Sequence, residues 1–194
     1  MTERLPEVLN ASLKCFARYG YKKTTMEEIA EELGLTKGAL YSYARSKKDL
    51  YQKAVAYALT KWQAKVREAV EDAGSPEEKF MTLSFKAYKH LAADPDLQNI
   101  LINDPDIFPM FPKDDPFIEI NENSRNMLRA VLEEGINSKI FRTLDLDSAT
   151  WLLFSIYKMF IIDTYVVSDQ EATDKLFKDA VDLLLHGLFR QSRH

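Results

Sequence analysis

Residues 24–43 read TTMEEIAEELGLTKGALYSY, and this stretch starts a helix, stops it and starts another. Thr25-Met26-Glu27-Glu28 has the spacing of a capping box. The threonine hydroxyl accepts from the amide three residues on, and Glu28 reaches back to the amide of Thr25. Met26, Ile29, Ala30 and Leu33 then recur at helical spacing and make one buried stripe. Gly34 ends that helix and Leu35 plugs the corner. Thr36 caps a short helix expected to run through Tyr43. Two helices joined by a turn of about three residues read as a helix-turn-helix over residues 25–44.

The second helix has an outward face suited to a nucleic acid. Ala39 and Leu40 turn back to the corner, whereas Lys37, Gly38, Tyr41 and Ser42 share the opposite side. A lysine here can donate to guanine O6 and N7 in the major groove. Gly38 lets the backbone approach a duplex, and the hydroxyls of Tyr41, Ser42 and Tyr43 suit phosphates. Thr25 and Thr36 place the two helix N-termini. Lys47, beside the free N–H groups of the next helix, is expected to clamp a phosphate.

Charge follows the same division. Residues 1–53 hold ten lysines and arginines against seven acids, a net +3 inside a chain of net −4, so the remainder carries −7. A basic head on an acidic body suits a protein that touches a polyanion at one end. The 194 residues include only six glycines and seven prolines, without alternating β-branched runs, so the fold expected is all-α with about nine helices. The first helix runs from Leu5 to Tyr19, with Gly20 as its stop, and carries Val8, Ala11, Ser12, Cys15, Phe16 and Tyr19 on its apolar stripe. A long fourth helix opens at Ser46-Lys47-Lys48-Asp49 and continues to Glu71. Another follows Gly74-Ser75-Pro76. The proline-broken segment 94–116 reads as short turns, and helices over 117–138, 147–166 and 168–189 complete the chain. Ser168-Asp169-Gln170-Glu171 supplies the cap of the last.

Residues 8–55 resemble the DNA-binding domain of the TetR family of bacterial transcriptional regulators. The resemblance is carried by Thr24-Thr25, Ile29-Ala30 and the run Leu33 to Tyr43, with Ser46-Lys47, Leu50, Phe16 and Gly20 in support. It implies a DNA-binding domain over residues 2–62 and an effector-binding and dimerisation domain over 63–194. It also implies a repressor that binds a palindromic double-stranded DNA operator as a homodimer and is released by a small-molecule effector. Ala44 departs from the pattern, because the family usually has phenylalanine there to help pack the recognition helix. Glu134-Gly135-Ile136-Asn137-Ser138-Lys139-Ile140-Phe141 is similar to the linker that many members carry before their last two helices.

By the same resemblance the last two helices form a dimer interface. Leu152, Leu153, Ile156 and Phe160 would come from one, and Leu176, Ala180, Leu184 and Leu188 from the other. Trp62, Tyr88, Trp151, Phe154, Ser155, Tyr157 and Lys158 are the candidate effector-lining residues, an aromatic set with few polar groups that suits a largely apolar or aromatic ligand. The alternative is a helical dimeric interaction module that does not bind DNA.

Enzyme chemistry finds little support. The histidines, His90, His186 and His194, are scattered, and no nucleophile elbow, P-loop, HExxH or paired-cysteine motif is present. No cofactor is expected. Asp104, Asp106, Asp114 and Asp115 are separated by prolines and lack calcium-loop spacing. The single cysteine, Cys15, excludes an internal disulfide and suits a reducing compartment. The N-terminus has no apolar signal core, and the run Ala149–Tyr157 falls well short of the roughly 20 residues a membrane span needs. The expected location is the cytoplasm.

Overall fold

The computed structural model describes residues 4–103, 115–166 and 170–188. These residues contain nine α-helices and no β-strand: α1 (Leu5–Tyr19), α2 (Met26–Glu32), α3 (Lys37–Leu40), α4 (Lys47–Glu71), α5 (Pro76–Ala92), α6 (Pro95–Asn103), α7 (Ile118–Asn137), α8 (Leu146–Val166) and α9 (Gln170–Leu188). The proposed cap at Ser168-Asp169 lies outside the described residues, as do Asp104, Asp106 and Asp114. No helix among the described residues is long and apolar enough to cross a membrane.

The chain divides into two compact units. One takes in Met1–Trp62 and Leu91–Phe117, the other Gln63–His90 and Ile118–His194. The first is built on α1, which buries Val8, Leu9, Leu13, Cys15 and Phe16. Tyr19, placed on the buried stripe by its spacing, is instead exposed, with the Arg18 guanidinium 5.1 Å from its ring centre. Burial raises the Cys15 thiol above its ordinary range, so this side chain behaves as a small apolar filler.

Helix α6 packs against α1 and corrects the expectation of short turns over 94–116. Pro95 sits at its first position, where no amide is needed. Asp94 caps it by accepting from the amide of Leu97 at 3.0 Å. Leu97, Ile100 and Leu101 are buried. Helix α6 belongs to the first of the two units, although its residues fall within the 63–194 stretch.

In the second unit α7 packs on α8 and α8 on α9. Phe177 of α9 meets Phe85 of α5 and Phe160 of α8 edge to face, with ring centres 5.6 and 5.7 Å apart. The end of α7 turns sharply. Ile140 and Lys139 donate to the carbonyls of Gly135 and Ile136, which is a Schellman motif. Lys139 takes the left-handed position, at φ +63°. Gly135 lies against the Phe141 ring so closely that a Cβ there would fall 2.0 Å from it.

Candidate nucleic-acid interface

The turn between α2 and α3 is held by backbone and side chain together. Thr25 accepts from the Glu28 amide, and the Glu28 carboxylate accepts from the Thr25 amide at 2.8 Å. At the other end Leu35 donates to the carbonyl of Ala30 and Gly34 to that of Glu31, a second Schellman motif. Here glycine, at φ +61°, fills the left-handed position. One residue later Thr36 accepts from the Ala39 amide at 3.1 Å and starts α3. Arg4 braces the same corner by donating to the Leu33 carbonyl at 3.0 Å.

Helix α3 is shorter than its spacing suggests and ends at Leu40. Ser42 and Tyr43 donate to the carbonyls three residues back, and the Ser42 hydroxyl bonds the Ala39 carbonyl at 2.6 Å. A serine that offers the backbone a competing local partner shortens a helix in this way. The same bond occupies the hydroxyl proton that the sequence reading gave to a phosphate.

Leu40 is fully buried, as are Ile29 and Leu50, so α3 is anchored by one side. Its other side is open: Lys37, Gly38, Tyr41 and Ser42 are all exposed, and Tyr43 is half-buried. A Cβ on Gly38 would meet nothing nearer than Thr36 Oγ1 at 4.0 Å, so the protein's own packing does not require glycine here. The Lys37 ammonium pairs with the Glu27 carboxylate of α2. That bond holds Glu27 below and Lys37 above their ordinary ranges. Ala44 is buried; where the resemblance led to expect a ring, a methyl group is covered by the surrounding domain.

Lys47 is differently engaged from the phosphate clamp expected of it. Its ammonium donates to the carbonyls of Tyr21 (2.9 Å), Thr24 (3.0 Å) and Lys22 (3.4 Å) and lies 4.7 Å from the centre of the Tyr21 ring. Those acceptors are more than twenty positions earlier in the chain, and local spacing carries no signal of them. The start of α4 is otherwise capped as expected, with the Asp49 amide donating to Ser46 Oγ at 3.1 Å. The Asp49 carboxylate accepts from the Arg45 amide and from Lys53, and these bonds lower its pKa, the amide bond most.

The candidate effector residues are divided between the two units. Trp62 is half-buried and falls in the first unit, and the side chain of Tyr88 lies outside the described part. Phe154 is buried, its ring 6.5 Å from that of Tyr157 and 5.6 Å from the Lys158 ammonium. Trp151 is 64% exposed, and its carbonyl accepts from Ser155 Oγ. A groove of about 300 Å³ in the second unit is lined instead by Arg67, Val70, Lys79, Asn126, Met127 and Val131 among others, with the Lys79–Glu134 ion pair beside it. None of the candidate effector residues lines it.

The proposed dimer residues also divide. Leu153 and Phe160 are buried within the chain, Ile156, Ala180 and Leu184 are half-buried, and Leu152 and Leu176 are exposed. The Leu188 side chain lies outside the described part. Trp151, Met159 and Leu183 are exposed apolar residues on the same two helices that the sequence reading left out of this set. On α9, Leu176, Ala180 and Leu183 follow the i, i+4, i+7 spacing that puts them on one face.

Comparison with known proteins bears on the whole arrangement. Residues 8–54 match the family model described as bacterial regulatory proteins, tetR family. Over 80% of this chain and 80% of the relative, the sequence is 29% identical to the HTH-type transcriptional repressor KstR2 of Mycolicibacterium smegmatis. It is 26% identical to the uncharacterized HTH-type transcriptional regulator YerO of Bacillus subtilis, over 99% of this chain and 68% of that protein. Among solved structures, the transcriptional regulator FadR from Bacillus subtilis, in complex with stearoyl-CoA, superposes with a TM-score of 0.77. It covers 94% of this chain and 98% of its own at 22% identity.

Proposed function

Because the chain belongs to the TetR family of bacterial transcriptional regulators, we propose that it represses transcription by binding an inverted-repeat operator as a homodimer, and that a largely apolar effector releases it. The observation that carries the DNA-binding half is α3 itself. It is capped by Thr36, anchored through Leu40, and turns Lys37, a side-chain-free Gly38 and Tyr41 to solvent. On this reading Lys37 leaves Glu27 to donate to a guanine edge, and Tyr41 and Tyr43 meet phosphates. Thr25 and Thr36 keep the two helix starts in register with the duplex.

The dimer is assigned to α8 and α9. Apolar residues on α8 point both inward, as Leu153 and Phe154, and outward, as Leu152 and Trp151. A helix with apolar groups on both sides needs cover on the second side, and a second copy of the same surface supplies it. The effector is assigned to the interior of the second unit around Phe154 and Tyr157. Stearoyl-CoA is the first compound to try, because a protein of the same fold binds it.

The test is fluorescence anisotropy with a labelled duplex selected by the wild-type protein from a random library. Lys37→Ala should cost about 1–3 kcal/mol on that duplex and relax the choice of base at one position. Equal binding of selected and scrambled duplexes by the wild type would overturn the operator reading.

A further inference from the structure

At the DNA-binding end the Lys47 ammonium is turned inward, onto backbone carbonyls. We infer that Lys47 is a positioning residue whose ammonium clasps the α1–α2 loop, and that phosphate at this end is met by Lys22 and Lys23, the side chains which that loop displays. This inference rests on the DNA-binding function proposed above and assigns the work within it.

The geometry is that of a saturated ammonium. Lysine has three N–H donors and no acceptor, and three backbone carbonyls, of Tyr21, Lys22 and Thr24, lie within hydrogen-bond distance of Nζ. The face of the Tyr21 ring, 4.7 Å away, adds a favourable cation–π contact. That ring is itself fixed, 4.9 Å from Tyr51 and 6.0 Å from Phe16. A phosphate could recruit Lys47 only by taking its protons from carbonyls that would then lose their partner. Releasing it would also free the loop that leads directly into the Thr25 cap of α2.

Lys22 and Lys23 are exposed and have no ion pair among the described residues. The Lys22 carbonyl turns in toward Lys47, and the side chains of both lysines remain available to solvent. Their positions therefore depend on the clasp, while their charges do not.

An arginine substitution separates clasp from clamp. Arginine meets phosphate at least as well as lysine, but its planar fork cannot direct three N–H groups at three converging carbonyls. Anisotropy would be followed against salt with a labelled random-sequence duplex, and amide hydrogen exchange would be measured on the DNA-free protein. Lys47→Gln and Lys47→Arg should both lose roughly tenfold in affinity. In both, the slope of log K against log salt stays at the wild-type value and exchange accelerates at Thr24 and Thr25, while the interior of α4 keeps its protection. The double change Lys22→Ala with Lys23→Ala should lower the slope by about 0.9 per lysine. The role is overturned if Lys47→Arg binds as the wild type does, or if Lys47→Gln lowers the slope by about 0.9 with exchange unchanged. A wild type that binds no duplex overturns the regulator reading itself. The exchange comparison still shows in that case whether Lys47 holds the loop.

Discussion

Gly38 has room for a methyl group that the sequence does not use. Glycine inside a helix is less stable than alanine by about 0.5–1 kcal/mol, and here the space around it is open. Gly38→Ala should therefore raise stability in urea unfolding by about that amount while weakening duplex binding. Unchanged binding would mean that no backbone approaches a ligand at this point. The Thr25 cap is written in two side chains three residues apart, Thr25 and Glu28, and the Thr36 cap in a threonine just after Gly34-Leu35, so both are legible from local sequence. Lys47 was not legible in the same way. Its type and position at the start of α4 suggested a phosphate, but the carbonyls that hold it belong to a loop brought near only by folding. The Glu27–Lys37 pair was hidden for a related reason, since it joins two helices across the turn.

Among the elements, the two Schellman turns make a matched comparison. After α2 the left-handed position is Gly34; after α7 it is Lys139. A non-glycine residue in that conformation is strained by roughly 1–2 kcal/mol. Lys139→Gly should therefore stabilise the protein by up to about 1 kcal/mol in thermal or urea unfolding. Gly135→Ala, by contrast, forces a methyl group into the Phe141 ring and should be among the most destabilising changes to the second unit. The start of α4 carries a pH dependence. Asp49 is held below its ordinary pKa by the Arg45 amide and Lys53. Its contribution is therefore complete above the ordinary carboxylate range and is lost as pH falls through the lowered value. Asp49→Asn should flatten that part of an acid unfolding curve, and an unaltered curve would assign the acid sensitivity elsewhere. Helix α6 is hidden in the sequence because a proline that opens a helix looks like one that breaks it. Pro95 is an opener, and only the cap from Asp94 distinguishes the two. The two faces of α8 are hard to tell apart in the sequence, because a helix apolar on both sides gives periodicity little to select.

For the complete protein, the division into two units shows how far the chain could be read in advance. The basic head was legible because its motif is local, whereas the apolar residues left outward on α8 and α9 required the packing of the other residues to be known. Leu183 and Leu152 are exposed in the single chain, so Leu183→Glu and Leu152→Glu should leave the protomer folded. Each should shift sedimentation from dimer to monomer and abolish tight operator binding, because one protomer reaches only one half-site. Variants that remain dimeric would place the interface on another surface. If Phe154 and Tyr157 line the effector site, Tyr157→Ala should keep operator affinity and blunt release by stearoyl-CoA. A variant released as readily as the wild type would move the site away from α8. The most direct measurement is the sequence content of the DNA that the wild-type protein retains from a random duplex library. The expected result is convergence on an inverted repeat whose half-sites lie about one helical turn, or a multiple of it, apart. Retained DNA with no common sequence, or no retention at low salt, would contradict a DNA-reading role for α3 and favour a helical interaction module.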